Sequence, residues 1–356
     1  MLAYILDHRT LKIKDLLEFE EYEFREDIEY AEKSSITVAR KPEIEEDDFV
    51  FCKDENQKVF IGICETFGSG SDKANYQISL LQKENLFDRE IFVEHEELIE
   101  RSGIEDFIVQ AIKDNFTSSG DSQMDKTYLS VSADTHTPIA AKVEAENGVY
   151  NLKTYLGNAK QYYGIFLEFS FSTKLEIRIR KKDELPIPID IEVTDISDYT
   201  ETYSVSVLAK LLVNWKVPDS QDEEGNPVTG ALKRRTFYLL ADRTIAEDGE
   251  SEERVAGTVK SMYIEAQTEE EMLQQVYNTF TGNQYSHKVS FNLIKSSRLY
   301  PAERFFVGRN CTIKTKSGVR TSIVTKSEVK SNSEMISLTF GKLKVTLIEK
   351  LRRQKW

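Results

Sequence analysis

Short runs of alternating apolar and polar residues dominate the first 95 positions of the chain. Ser34-Ser35-Ile36-Thr37-Val38-Ala39 reads as a strand closed by Lys41-Pro42. Phe49-Val50-Phe51-Cys52, the polar turn Asp54-Glu55-Asn56-Gln57-Lys58 and Val59-Phe60-Ile61-Gly62-Ile63-Cys64 predict a hairpin-like pair. Gly68-Ser69-Gly70-Ser71-Asp72 predicts a turn, after which Tyr76, Ile78 and Leu80 alternate with polar neighbours in a further strand.

The period then changes from two to about 3.6. Ile104, Phe107, Ile108, Ala111, Ile112 and Phe116 predict a helix over 103–116, opened by Ser102 and Glu105 at capping-box spacing. Asn151 is the expected N-cap of a second helix carrying Leu152, Tyr155, Leu156 and Ala159, with Gly164 past its end. Ile165, Leu167, Phe169 and Phe171 alternate in one strand, and Leu175, Ile177 and Ile179 in the next. Asp183-Glu184-Leu185-Pro186-Ile187-Pro188 reads as an extended linker, because each Pro keeps itself and its predecessor out of helix. Beyond it come strands around Tyr203–Val207, Arg235–Ile245 and Val255–Ile264, separated by the polar loops 218–230 and 247–253. Thr268 and Glu271 form another capping box, opening a helix through Met272, Val276, Tyr277 and Phe280 that stops at Gly282-Asn283. His287 to Ile294 and residues 304–351 return to strands.

Two windows run in the same order. Residues 49–92 and 305–350 each read strand, charged turn, strand, polar turn and long strand segment. Identity between them is low, and meanders in general share part of this pattern, so a repeat and a chance likeness both remain open. The chain reads as mainly β in an α+β class, and if the repeat is real it holds two related, tube-protein-like β-barrels. A first β-barrel occupies 1–96, and an α/β domain with two helices and a hairpin occupies 97–182. A β-rich domain with one helix fills 183–300, part of it completing the barrels, and a second barrel fills 301–356.

Charge narrows the partners. The 356 residues hold 47 Lys and Arg against 61 Asp and Glu, a net charge of −14, which argues against gripping a nucleic-acid backbone. The charge is uneven: residues 1–50 carry a net −8 and residues 310–356 a net +8. Either these are solvated faces of separate domains or they meet, within one chain or between copies. No apolar run approaches the length of a membrane span, and Met1 to Asp15 lacks the pattern of a secretory signal.

Candidate chemistry is sparse. Cys52, Cys64 and Cys311 have no close pair, which disfavours a disulfide framework or a Cys-based zinc site. GxSxG, HExxH, P-loop and GxGxxG motifs are absent. Asp134 and His136 lie too far apart in an extended chain for direct contact, and His8 and His287 have no partner at metal-ligand spacing. The acidic runs Glu43 to Asp48 and Asp219 to Glu224 lack the pattern of a calcium loop and read as solvated loops. Pairs such as Phe169/Phe171 and Tyr162/Tyr163 read as core or sheet packing. No residue is assigned a catalytic, cofactor-binding or metal-binding role, and no cofactor is expected.

The order of elements resembles the hub proteins of phage tail tips. The likeness is carried by Val59-Phe60-Ile61-Gly62-Ile63, the capped helix, Leu152 to Tyr163 and the hairpin from Ile165 to Arg180. It continues through Phe306-Val307-Gly308-Arg309-Asn310-Cys311, Gly318 to Thr325 and Ile336 to Phe340-Gly341. Such baseplate hubs, similar to the N-terminal part of tail-associated lysins, occur in phages and prophages of Gram-positive bacteria. The resemblance implies two barrels related to the tail-tube protein and a homotrimer whose six barrels form a ring. It implies the distal tail protein, other tail-tip proteins and the tape-measure protein as partners, with DNA passing unbound through the channel. It implies a place at the virion tail tip, after synthesis in the host bacterial cytoplasm. A lytic extension is expected to be absent, because the chain stops at Trp356. The alternatives from other classes are a carbohydrate-binding β-sandwich protein and a cell-wall hydrolase with a cryptic carboxylate pair.

Overall fold

Six strands close on themselves at the N-terminus. They are β1 (Leu2–Leu6), β2 (Ile13–Asp27), β3 (Ser34–Val38), β4 (Phe49–Lys53), β5 (Val59–Ser69) and β6 (Tyr76–Gln82). Their order is β1-β4-β5-β6-β3-β2, with β2 pairing back onto β1. The β1–β2 turn is held by Asp7, whose carboxylate accepts from the Arg9 and Thr10 amides at 3.1 and 2.7 Å, with Leu11 at φ 56°. Alternation sends Ala3, Ile5, Leu17, Phe19, Ile36, Val38, Val50, Cys52, Cys64, Ile78 and Leu80 into one core. The computed structural model describes residues 1–53, 59–69, 75–92, 103–123, 125–137, 149–182, 185–203, 207–221, 227–240, 244–247, 254–266, 268–281, 287–316 and 318–341. The expected turns at 54–58 and 70–72, Ser102 and the Gly282-Asn283 stop lie outside these residues.

An α/β layer follows. β7 (Glu90–Phe92) pairs with β9 (Val149–Asn151), between which lie α1 (Ile104–Ile112) and β8 (Leu129–Ala133). α2 (Leu152–Tyr163) leads into the antiparallel hairpin β10 (Ile165–Phe171) and β11 (Leu175–Lys181), and β8 adds to β11 in parallel. α2 is capped as expected: Asn151 Oδ1 accepts from the Thr154 amide at 3.0 Å, and Gly164 ends the helix at φ 67°. α1 is capped otherwise. Its N-cap is Gly103 at φ 143°, where a Cβ would lie 2.2 Å from the Thr137 carbonyl oxygen. Glu105 is fully buried and accepts from Thr135 Oγ1, the Thr137 amide and Thr137 Oγ1, so its carboxylate ties the helix to the 135–137 segment. After Ile112 the helix widens into a π turn, Lys113–Thr117.

The expected linker is partly a strand. β12 (Ile187–Asp190) precedes β13 (Ile196–Tyr203), and Pro188 is tolerated because β12 pairs on one side only among the described residues. The chain then enters β14 (Leu208–Lys216), the small pair β15 (Ser220–Gln221) and β16 (Pro227–Val228), β17 (Leu232–Leu239), β18 (Ile245–Ala246), β19 (Thr258–Glu265) and α3 (Glu269–Thr281). It returns in β20 (His287–Ile294), β21 (Asn310–Thr315), β22 (Gly318–Lys330) and β23 (Met335–Phe340).

Contacts divide the chain into two units. One is built mainly on Glu201–Lys288. Its sheet runs β18-β17-β14-β19, with Leu211, Val213, Trp215, Phe237, Ile264, Met272, Val276 and Phe280 in its core. Trp215 Nε1 donates to the Ala266 carbonyl at 2.9 Å, and Thr268 Oγ1 accepts from the Glu271 amide, giving α3 the expected cap.

The other unit comprises Met1–Ile139, Val143–Thr200 and Val289–Phe340, and holds both ends of the proposed repeat. Its second β assembly has the order β12-β21-β22-β23-β20-β13. Strand for strand this matches the first barrel. The middle strand bulges at the same place in both: between Cys64 and Thr66 opposite β6, and between Val324 and Lys326 opposite β23. Cys64 faces Leu80 as Val324 faces Phe340, and Phe67 faces Ile78 as Ser327 faces Leu338. Val50, Cys52, Ile36 and Val38 of the first core have Cys311, Ile313, Phe291 and Leu293 as counterparts in the second. The two differ at one strand. β1 runs antiparallel to β4 and closes onto β2, whereas β12 runs parallel to β21, and no β12–β13 pairing occurs among the described residues.

Candidate functional site: the seam between the two β assemblies

The acidic and basic ends of the sequence meet inside one chain. β2 leaves the first barrel at Glu23 and pairs antiparallel with β22, from Glu23 opposite Lys330 to Asp27 opposite Lys326. The β22 bulge makes this geometry. A bulge adds one residue to one strand and turns its course. Before the bulge β22 pairs with β21; beyond it, one edge pairs with β23 and the other with β2. The bulged residue Thr325 offers its carbonyl to the Ile28 amide at 3.0 Å. Charge follows the register. Lys330 Nζ lies 2.8 Å from Glu23, Arg25 Nε 3.6 Å from Glu328, and Lys326 Nζ 2.6 Å from Glu32. The hydrogen bond from Lys330 holds the Glu23 carboxyl below the usual range.

α2 seals the seam. Gly157 approaches the Ile28 carbonyl so closely that a Cβ would lie 2.7 Å from its oxygen. Lys160 is 9% exposed and sets its ammonium 4.8 Å from the Tyr30 ring centroid, with Glu84 Oε1 at 3.9 Å. Burial lowers the Lys160 pKa despite that carboxylate. Gly308, at φ 98°, lies against Lys160 and the Phe166 ring, where a Cβ would come within 2.9 Å of Lys160 Cγ.

The groups capable of chemistry are placed as follows. His8 finds a partner remote in sequence: its Nδ1 lies 3.1 Å from Asp48 Oδ1. The sequence places Asp48 in a solvated loop, yet it is fully buried, because Phe49 and Val50 behind it enter the interior. Burial pushes its pKa up, but hydrogen bonds from Lys14, the Glu45 amide and His8 outweigh that and hold it below the carboxylate range. His8, Glu45 and Asp48 sit at metal-ligand distances from one another. Lys14 Nζ already supplies the cation there, 2.9 Å from Asp48 Oδ2 and 3.1 Å from Glu45 Oε2. His136 turns away from Asp134 and pairs with Asp106 at 2.6 Å, in an exposed position. Burial pushes the Cys52 thiol up strongly, and the Cys64 and Cys311 thiols up to about 12, the wrong direction for a nucleophile.

A groove of about 520 Å³ runs beside β12, lined by Ile187, Ile189, Leu299 and Val319 with Asp190, Arg304 and Tyr300. Tyr300 is 8% exposed and its hydroxyl accepts from the Asp190 amide at 2.9 Å, so it offers no open ring face for a sugar. Among the described residues no helix is long and apolar enough to cross a membrane.

No protein-family model matches the chain, and no curated protein matches it by sequence. Solved structures do match in fold. A prophage tail protein, gp18, from Listeria monocytogenes EGD-e superposes with a TM-score of 0.55 at 10% identity, covering 99% of this chain and 98% of that one. A tail protein from Neisseria meningitidis MC58 gives 0.54 at 8% identity, over 98% of both chains. The 43 kDa tail protein of prophage MuSo2 from Shewanella oneidensis gives 0.51 at 12% identity, covering 96% and 97%. The chain therefore has, over nearly its whole length, the mainly β fold of these phage tail proteins.

Proposed function

We infer that the chain is a structural, non-enzymatic protein of a phage or prophage tail tip. In this reading it is a hub in which three copies bring six barrels into a ring that ends the tail tube. One observation carries it: the chain contains the same six-strand order twice, with a shared register and bulge, and joins the two along a strand seam. A three-fold ring of such chains presents six similar barrels to a six-fold tube. Its fold likeness to three tail proteins supports the same reading. Its neighbours would be the distal tail protein, the tape-measure protein and other tail-tip proteins. The net charge of −14 suits a channel wall that lets DNA slide without holding it.

The test is location and loss. An epitope-tagged copy should be labelled by immunogold at the tail tip of induced particles, and deletion should leave particles without a completed tip. Label elsewhere on the particle, or normal tips in the deletion, would refute it.

A further inference from the structure

The repeat leaves one position unfilled. In the second assembly the distal half of β22 is flanked on both sides, by β23 and by β2. Its counterpart is the distal half of β5, Thr66–Ser69, beyond the same bulge. That segment pairs with β6 on one edge, while β4 reaches only as far as Ile63. Among the described residues nothing pairs with the other edge, and Thr66, Phe67, Gly68 and Ser69 are all exposed. The strand that fills the corresponding place in the seam is β2. Its counterpart in the second assembly is β13, the last strand in the sheet order, paired only with β20 among the described residues.

We propose that Thr66–Ser69 of β5 pairs with the outer edge of β13 of a second copy of this chain, repeating between chains the contact that β22 makes with β2 within one. The proposal rests on the hub reading and names its interface. Chemistry as well as position favours this occupant. Unpaired strand edges are usually blunted by charge or proline. Here the edge is Thr-Phe-Gly-Ser, uncharged, and Phe67 is 38% exposed. Around Glu201, β13 offers Tyr199, Thr200 and Thr202, and aromatic and threonine pairs stabilise adjacent strands. The seam inside the chain uses Glu23, Arg25, Lys326 and Lys330 instead. The β2 segment Glu23–Asp27 holds four charged residues in five, against Glu201 alone in Tyr199–Thr202, so β13 suits the uncharged β5 edge better than β2 does and the two contacts do not exchange. Because β5 and β13 are different surfaces, the contact is head-to-tail and closes only as a ring.

The test is cysteine cross-linking of the full chain, read beside its mass in solution. Phe67→Cys is combined in turn with Thr200→Cys, Glu201→Cys and Thr202→Cys; the native cysteines are buried and stay silent. At least one double variant should give disulfide-linked multimers on mild oxidation, and the single variants should give none. Phe67→Lys, with an unchanged circular dichroism spectrum, should raise the concentration needed for association at least tenfold. If the wild type associates but no pair cross-links and Phe67→Lys has no effect, the edge assignment falls and the ring survives. A wild type that stays monomeric at every concentration overturns the ring and the edge together.

Discussion

Asp48 and Arg309 occupy the same backbone position in the two β assemblies and carry opposite charges. The Cys64 amide donates to the Asp48 carbonyl at 2.8 Å, and the Val324 amide donates to the Arg309 carbonyl at 2.9 Å. The residue before each has a positive φ, 70° at Asp47 and 98° at Gly308, and each donates its amide back to the same facing residue, Cys64 or Val324. The two assemblies thus share a backbone geometry that their side chains do not share. Asp48 is paired with Lys14 and hydrogen-bonded to His8, whereas Arg309 donates from Nη2 to the Leu185 carbonyl at 2.9 Å.

Asp48 should govern the acid stability of the first barrel. Its folded pKa is depressed, so its contribution is present above the unfolded pKa and is lost as pH falls through the folded value. Asp48→Asn should cost about 1–3 kcal/mol at neutral pH, because it weakens the charge-assisted hydrogen bonds that a buried acceptor receives. The variant should also flatten the fall in stability below about pH 4. Urea melts at several pH values check both; an unchanged pH dependence would contradict the assignment.

Gly157→Ala should loosen the seam without unfolding either β assembly. The added methyl meets the Ile28 carbonyl oxygen, a backbone atom that cannot rotate away. Overpacking of this kind costs roughly 1–3 kcal/mol. Hydrogen exchange should quicken at the Ile28 amide, which donates to Thr325, more than at the Cys64 amide inside the first barrel.

Charge reversal at the seam should be mild and mutually corrective. Glu23→Lys and Lys330→Glu each place like charges opposite one another, in a pair that is 28% and 43% exposed. Each should cost about 0.2–1 kcal/mol, and the double reversal should recover most of it. Thermal melts at low salt check this, and 1 M salt should shrink the effect because it screens exposed charges.

The three thiols should be silent in the folded protein. Cys52, Cys64 and Cys311 are buried, and their raised pKa values keep them protonated at pH 8. A thiol reagent should count none before denaturation and three after it.

Much of this was legible in residue pattern, and the gaps have physical causes. Helices with local signals were plain: Asn151 and Gly164 mark α2 because caps act within one turn. β2 gave a poor signal. Leu17 and Phe19 point inward, but so do Tyr22 and Phe24, and the bulge between Phe19 and Glu21 shifts the alternation by one. Glu105 kept its helix position but not its capping role, because the partner that claims it, Thr137, lies 32 residues away. Ile187 and Pro188 read as the end of a linker because Pro188 suits an edge strand as well as an extended segment. Asp48 sat in an acidic run, and only the folded barrel brings Lys14 to it from 34 residues away. The basic residues Lys342 and Lys344 lie outside the described residues, so the meeting of the charged ends rests on β2 and β22.

The most direct test of the account is an electron cryomicroscopy reconstruction of the purified full-length protein. The expected particle holds three 41.0 kDa chains, with the two β assemblies of each chain alternating around one channel as six similar barrels. Particles of single chains, or an assembly in which the two β assemblies do not alternate around a common axis, would contradict it.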